Sequence, residues 1–469
     1  MPHSALTPTT AQPLVVVGAG PIGLAAAAHA HERGLPVVVL EAGADAGAAV
    51  TEWAHVRLFS PWSELVDDAA ARLLEPTGWT RPTDATPPTG AEWVERYLRP
   101  LAAALVAAGV EVRTGHRVTG VARQGRDLLV AVDRERVPFA VHVETPRGHE
   151  VRSAAAVVDA SGTWGQPGPL GTDGYPAPGE REHADHLTYA VPDVDDPALR
   201  ARLAGRHVVV AGAGASAQNA LVALGRLAAE EPGTRVTWLL RRGDVGHAFG
   251  GGDADELEAR GALGEHARAV AESGTVETVT GFRTTGVHRD EPTGRLVLTS
   301  LDGRQVADVD EVVAVTGFRP DVSWLSEVHL DLDPELAAPR LLAPEIHPAH
   351  HSCGSVSPHG ASVLRQPEQG LYIVGMKSYG RAPSFLTMTG CEQVRSVVAE
   401  IAGDQEAADR VELVLPETGV CGAAPTYDAE LRAGPSAGGP ALDRVTAQAP
   451  RPRFSGKAPG CRTGRAAPR

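Results

Sequence analysis

Short apolar runs recur along this chain, and most of them end directly at a glycine or an acid. Four apolar residues stand in a row at 14–17, 37–40, 155–158, 208–211, 312–315 and 371–374. Such runs are typical of parallel strands that are buried on both faces. Ala-rich stretches of helical length follow the first and the fourth run. The pattern therefore predicts an α/β fold with two βαβ units, over about residues 13–50 and 205–242.

Between and beyond these units the pattern changes. Residues 128–158 alternate apolar and polar positions with turns between them, which predicts a small antiparallel sheet. Residues 92–108 predict a helix interrupted at Pro100, and residues 385–401 predict another. A Gly- and Pro-rich connector is expected at 163–181.

A glycine-rich turn, Gly18-Ala19-Gly20-Pro21-Ile22-Gly23, lies between the first strand and the first helix. In this spacing Gly18 permits the tight turn, Gly20 lets the backbone approach a pyrophosphate, and Gly23 lets the helix pack on the strand. Glu41 ends the second strand, close to the spacing expected of an acid that binds ribose hydroxyls. We interpret this turn as an FAD site. The alternative is an ordinary βαβ turn that binds nothing.

A second turn, Gly212-Ala213-Gly214-Ala215-Ser216-Ala217, occupies the same place in the second unit. Ala217 replaces the third glycine and is still small enough for close packing. Arg241 and Arg242 follow the next strand, where the first unit has its acid. A guanidinium suits the 2′-phosphate of NADP, so we predict NADPH at Gly212, Gly214, Ser216, Ala217, Arg241 and Arg242. The alternative for the two arginines is a solvated surface pair.

Composition narrows the classes of partner. The chain has 469 residues, a net charge of −15 and a pI near 5.6, which argues against nucleic acid or an anionic membrane as the main partner. It shows no run of about 20 apolar residues and no basic segment ahead of an apolar one, so we expect a soluble, cytoplasmic protein. We expect disorder in a polar leader at 1–12 and in a basic, Pro/Gly/Ala-rich tail at 434–469.

Cysteines are few and scattered, and one segment combines a cysteine with several histidines. Four scattered cysteines, Cys353, Cys391, Cys421 and Cys461, make no disulfide framework and no Cys-x-x-Cys motif. The densest His/Cys segment, residues 347–359, matches no familiar zinc spacing, and we predict no metal there.

Several motifs in one order resemble the two-dinucleotide-binding-domain flavoproteins, and most closely their flavin-containing monooxygenase branch. In addition to the two glycine turns and Glu41, these motifs are residues 159–162, 316–321 and 373–375. Gly179 and His183 fit that branch's own signature, whereas Ala177 and Leu187 stand at its aromatic positions.

The resemblance implies two Rossmann-like domains: a discontinuous FAD domain over 13–190 and 320–430, and an NADPH domain inserted at 191–319. It also implies further FAD contacts from Val118, Gly162 and Gly375, and an NADPH contact from Gly317.

The chemistry that the resemblance implies is monooxygenation of a small molecule. NADPH reduces FAD, O2 adds to the reduced flavin, and the C4a-hydroperoxide passes one oxygen atom to nitrogen or sulfur, or inserts it beside a ketone. The alternative is an NADPH-dependent flavin reductase or thiol–disulfide oxidoreductase, and the latter needs a reactive cysteine pair. Trp62, Tyr379 and Cys353 are the candidate substrate-pocket residues; core packing is the alternative for the two aromatics. Whether the protein is a homodimer stays open.

Overall fold

The computed structural model describes residues 12–250, 257–348, 356–383 and 385–413. The predicted tail and almost all of the predicted leader lie outside these residues. Cys353, Cys421 and Cys461 also lie outside them.

The first glycine turn belongs to a five-stranded parallel sheet in the order β16-β7-β1-β2-β3. Its elements are β1 (Leu14–Val17), α1 (Pro21–Glu32), β2 (Val37–Leu40), β3 (Glu111–Arg113), β7 (Ala156–Asp159) and β16 (Leu371–Ile373). β1, β2, β7 and β16 are buried along their whole length, as continuous apolar runs predict. α1 begins at Pro21, in line with the tolerance of proline in a first turn.

A second parallel sheet repeats this arrangement in the order β8-β15-β9-β10-β11. Its elements are β8 (Leu187–Thr188), β9 (His207–Ala211), α8 (Ala215–Glu230), β10 (Arg235–Leu239), β11 (Val276–Val279) and β15 (Glu311–Ala314). The strand before each glycine turn, β1 or β9, is central in its sheet. A strand from later in the chain lies beside it, β7 in the first sheet and β15 in the second. The α/β class and the two Rossmann-like units are therefore confirmed.

Each parallel sheet has a small antiparallel partner. The strands are β4 (Arg117–Arg123), β5 (Phe139–Thr145) and β6 (Gly148–Ala154) in one, and β12 (Thr284–Arg289), β13 (Leu296–Ser300) and β14 (Gln305–Val309) in the other. The first was predicted, but its middle strand begins only at Phe139. Turns occupy 127–136, because Asp133 adopts a left-handed conformation that a strand does not allow.

The remaining helices pack around these sheets. They are α2 (Ala48–Thr51), α3 (Trp62–Leu65), α4 (Asp68–Leu74), α5 (Gly90–Trp93), α6 (Arg99–Ala107), α7 (Pro197–Leu203), α9 (Glu258–Glu272), α10 (Ala343–Ile346), α11 (Ala361–Leu364), α12 (Thr387–Ile401) and α13 (Gln405–Asp409). The prediction of an interruption at Pro100 was wrong. A π turn at Val94–Leu98 joins α5 to α6, and its altered hydrogen-bond register tolerates the missing proline N–H.

Candidate functional site

The first glycine turn is tightly packed at two of its glycines and open at the third. A Cβ on Gly18 would lie 2.8 Å from the Ala160 carbonyl oxygen, and one on Gly23 only 1.9 Å from that of Gly18. Gly18 also has a φ of +101°, which favours glycine. At Gly20 nothing lies within 4 Å of an added Cβ. The turn therefore leaves its free space at the position that approaches a pyrophosphate, and it fits a dinucleotide.

Glu41 is held against this turn by backbone donors. One carboxylate oxygen accepts a hydrogen bond from the Ala19 N–H at 2.7 Å, and the other from the Gly43 N–H at 2.6 Å. The side chain is half-buried. Its carboxylate is thus fixed beside the glycine turn, on the β2 side, as an acceptor for ribose hydroxyls requires.

The second glycine turn has the same steric design. A Cβ on Gly212 would lie 2.2 Å from the Val315 carbonyl oxygen, whereas at Gly214 nothing lies within 4 Å. The Gly212 carbonyl also accepts a hydrogen bond from the Trp238 indole N–H at 2.8 Å. Ala217 is fully buried, so its methyl group takes the packing role of the third glycine. Ser216, half-buried, lies in the first turn of α8.

Arg241 and Arg242 follow β10 directly, at the carboxyl edge of the second sheet. Arg241 is exposed and Arg242 is half-buried. The Arg242 carbonyl accepts a hydrogen bond from the Gly281 N–H at 2.6 Å, which anchors the segment beyond the strand. Recognition of a 2′-phosphate by these side chains stays a prediction.

Loops from both parallel sheets meet at one place, which we call the junction and define as residues 161–168, 316–321 and 375–381. The Gly168 N–H donates to the Gly317 carbonyl at 2.7 Å, and the Thr316 hydroxyl donates to the Gly168 carbonyl at 2.5 Å. The rings of Trp164 and Phe318 lie 5.0 Å apart. Each loop follows the carboxyl end of a parallel strand, where ligands of such sheets bind. The junction therefore joins the two glycine-turn units at their ligand-binding edges.

A buried ion pair that sequence reasoning missed borders the junction. The Lys377 ammonium lies 2.7 Å from the Asp159 Oδ2 atom, with side-chain exposures of 1% and 0%. It also donates to the Ser161 hydroxyl at 3.1 Å and lies 4.7 Å from the centre of the Trp324 ring. One sequence signal was available, because the chain has 43 basic residues and only Lys377 and Lys457 are lysines.

The Gly375 turn is held by a buried amide. The Gly375 N–H donates to the Gln393 side-chain oxygen at 2.7 Å, and the Gln393 amide nitrogen donates to His359 Nε2 and to the Ser378 hydroxyl, each at 2.9 Å. His359 Nδ1 donates to the Ser357 carbonyl at 3.0 Å. Burial lowers the pKa of His359, which keeps the ring neutral and able to accept.

The two aromatic pocket candidates lie in the core. Trp62 is 2% exposed and Tyr379 is 1% exposed. Tyr379 packs against the rings of His359 and Phe385, at 5.7 and 5.2 Å, and the Arg96 guanidinium covers Trp62 at 5.0 Å. Cys353, the third candidate, lies outside the described residues.

The other predicted cofactor contacts lie on different elements. Gly162 follows β7, has a φ of +69° and has nothing within 4 Å of an added Cβ. Gly317 follows β15 and is exposed in the junction. Val118 lies on β4, half-buried opposite Val143. These roles stay predictions.

The described residues contain neither a metal-binding cluster nor a helix that could span a membrane. No cluster of three or more His, Cys, Asp or Glu side chains there could hold a metal ion. No helix in that part of the chain is long and apolar enough to cross a bilayer.

Two open glycine turns on two parallel sheets, joined at their carboxyl edges, define an oxidoreductase of the two-dinucleotide flavoprotein class, with FAD and NAD(P)H as its cofactors. Residues 15–341 match the model of the pyridine nucleotide-disulphide oxidoreductase family, and the chain belongs to that family.

Curated relatives and solved structures agree with this class. Ferredoxin–NADP reductase 1 of Cupriavidus pinatubonensis is 28% identical over 328 residues, which cover 69% of this chain and 75% of the relative. A bacillithiol disulfide reductase from Bacillus cereus has a TM-score of 0.60 at 20% identity, over 84% of this chain and 99% of its own. A mutant flavin monooxygenase from Stenotrophomonas maltophilia has a TM-score of 0.53 at 22% identity, over 84% and 98%. Likeness at these identities shows the fold.

Proposed function

We propose that this protein is an NADPH-consuming, FAD-dependent monooxygenase of a small molecule. NADPH, a proton, O2 and the substrate would give NADP+, water and a substrate that carries one oxygen atom. The flavin supplies the redox and oxygen chemistry. This chain's residues supply two dinucleotide cradles, a junction that brings their ligands together, and a water-poor edge around Lys377.

The observation that carries the proposal is the cysteine content beside two dinucleotide sites. Residues 1–352 contain no cysteine, and the chain has no Cys-x-x-Cys motif. Thiol–disulfide exchange with a flavin needs accessible thiols with thiolate character. NADPH that reduces FAD in such a chain needs an electron acceptor other than a cysteine pair, and in the monooxygenase proposal that acceptor is O2.

Cys391 is poorly suited to be that missing thiol. Burial, together with the nearby carboxylates of Asp67 and Asp68, raises the pKa of its thiol. A thiol of raised pKa forms little thiolate near neutral pH and is a weak nucleophile. Disulfide chemistry through Cys391 is therefore disfavoured.

The test is a screen of nitrogen, sulfur and ketone compounds with FAD-loaded protein, NADPH and O2. Each reaction is scored for NADPH consumed, hydrogen peroxide released and oxygenated product formed. We expect at least one compound to give product in place of peroxide. Peroxide alone across all three chemical classes would count against the proposal.

A reductase is the second candidate, because the curated relatives are named ferredoxin–NADP reductases. Reduction of a ferredoxin or a disulfide by NADPH without O2 would favour it. For the dithiol form, Cys353→Ser and Cys421→Ser discriminate. We expect both variants to keep FAD, flavin reduction and turnover, whereas loss of turnover alone in both would replace the monooxygenase proposal with a dithiol enzyme.

A further inference from the structure

The ion pair between Lys377 and Asp159 lies on a defined side of the first glycine turn. Asp159 ends β7 and is in register with Val17, the residue before Gly18, while Ile373 of β16 is in register with Asp159. Lys377 follows four residues after Ile373. The pair is therefore adjacent to the pyrophosphate cradle, at the same edge of the sheet.

The sheet order tells which half of FAD this side would receive. Glu41, the acceptor for the ribose of the AMP half, lies on the β2 side of β1. A dinucleotide whose pyrophosphate crosses Gly20 must then extend its flavin half toward β7 and β16. Asp159 Oδ2 is fully buried, and although it is ion-paired it accepts no hydrogen bond from a described residue. An acceptor in that state fits a hydroxyl group of the cofactor's ribityl chain.

The choice of residue also needs an explanation. Among 43 basic residues the chain has two lysines, and one of them is buried here. A buried ion pair gains little stability over well-packed apolar residues, so a structural tie between β7 and β16 does not by itself call for charge. A lysine ammonium is a compact point charge, whereas arginine spreads its charge over a planar group.

We propose that Lys377, which is held in place by Asp159 and Ser161, sets the electrostatic potential at the flavin. Its cation favours the reduced flavin, which carries added negative charge, and the Asp159 carboxylate opposes it. The inference rests on FAD in the first site, not on the substrate that the reduced flavin serves.

Asp321 belongs to the same charge cluster. Burial raises the pKa of its carboxyl group. Hydrogen bonds from Ser323 and Gln166, together with the positive charge of Lys377, outweigh burial and lower that pKa. Asp321 therefore stays ionised and interacts electrostatically with the Lys377 cation.

The experiment measures the flavin midpoint potential in Lys377→Met and in Asp159→Asn. An electrostatic role predicts shifts of opposite sign: Lys377→Met lowers the potential and Asp159→Asn raises it. We expect each to change the ratio of reduced to oxidised flavin by about tenfold, or about 30 mV for a two-electron couple. Lys377→Gln, which keeps a donor without the charge, should act like Lys377→Met.

The matched control is a buried ion pair at the opposite end of β16. Arg123 and Glu368 lie 2.7 Å apart with side-chain exposures of 3% each. Arg123→Met should lower the melting temperature and leave the midpoint potential unchanged.

Flavin content of the wild-type protein is measured first, since a protein that binds no FAD would refute the cofactor assignment and, with it, this inference. Equal potentials in FAD-loaded wild type, Lys377→Met and Asp159→Asn, or shifts of the same sign, would overturn it. Loss of FAD from Lys377→Met, Lys377→Gln and Asp159→Asn would show that the ion pair has a structural role, and it would also overturn the inference.

Discussion

At the scale of single residues, the two glycine turns contain crowded glycines and open glycines. Gly18, Gly23 and Gly212 have no room for a Cβ because neighbouring carbonyl oxygens occupy the space. Gly20 and Gly214 have open space and ordinary extended backbone angles, with φ of −77° and −91°. A methyl group at Gly20 or Gly214 would have no protein atom within 4 Å, and we predict that it would meet the bound dinucleotide.

Gly20→Ala and Gly23→Ala should therefore fail differently. Gly20→Ala should leave the unfolding free energy of the apoprotein unchanged and weaken FAD binding about tenfold or more, equivalent to about 1.4 kcal/mol. Gly23→Ala should destabilise the apoprotein by about 1–3 kcal/mol through overpacking. Urea unfolding without cofactor and FAD titration separate the two effects, and equal destabilisation by both variants would be falsifying.

Arg241 and Arg242 should determine the choice of nicotinamide. Replacing both with Ala should lower kcat/KM for NADPH by an amount equivalent to roughly 1.5–3 kcal/mol, the range for a hydrogen bond to a charged group. The kcat/KM for NADH should stay unchanged. Arg235→Ala, at the amino end of β10, is the matched control because it lies at the opposite edge of the sheet. A double variant that still prefers NADPH as strongly as the wild type would contradict the assignment.

At the scale of elements, α12 holds the Gly375 turn through one amide and one neutral imidazole. Gln393 is fully buried, and its bonds reach Gly375, Ser378 and His359. Protonation of His359 would replace its acceptor with a donor and break the bond from Gln393. The turn therefore depends on the charge state of one histidine.

Acid should weaken the fold through His359 and His207. Burial lowers the pKa of both, helped at His207 by Arg235. The unfolded chain thus binds protons first as the pH falls, so stability is complete above the ordinary histidine pKa of about 6.5 and is lost below it. Each group contributes a slope of up to about 1.4 kcal/mol per pH unit in that window.

The check is the urea unfolding free energy between about pH 7 and pH 5 for the wild type, His359→Gln, His207→Gln and the double variant. We expect each substitution to flatten the profile and the double variant to be flattest. A double variant with the wild-type slope would show that other groups control the acid response.

At the scale of the whole molecule, two similar parallel sheets are joined at their carboxyl edges. Four strands have the same order in both, β7-β1-β2-β3 and β15-β9-β10-β11, whereas the fifth is the last strand of the chain, β16, in one sheet and the early strand β8 in the other. Each unit adds a three-stranded antiparallel sheet, and the β7 and β15 loops meet at the junction. The monooxygenase and reductase proposals share this plan. They differ in what accepts electrons from the flavin.

The two-site plan predicts how cofactors stabilise the protein. FAD at a hundred times its Kd should add about 2.7 kcal/mol to the unfolding free energy of the apoprotein, since it binds the folded state only. FMN lacks the AMP half that we predict Glu41 and Gly20 to bind, so it should give little stabilisation at the same concentration. Thermal unfolding with each ligand tests this, and equal protection by FMN would argue against the first site as described.

The amino-acid sequence alone was enough to predict the α/β class and to single out the two glycine turns and Glu41. Their signals are local: a strand, a turn and a helix follow one another within about 30 residues, and steric crowding inside the turn selects glycine. The antiparallel strands at 284–309 and the register change before Pro100 escaped prediction, because short alternating segments and π turns have weak patterns.

Which distant residues come into contact depends on the tertiary structure. Lys377 and Ser161 are 216 residues apart in the chain, and Gly375 and Gln393 touch only because α12 folds back onto the turn. Trp62 and Tyr379 suited either a pocket or the core from the sequence, and the tertiary structure buries both of them. Hydrophobic periodicity reports whether a segment is buried, but the order of strands in the sheet determines which loops share an edge.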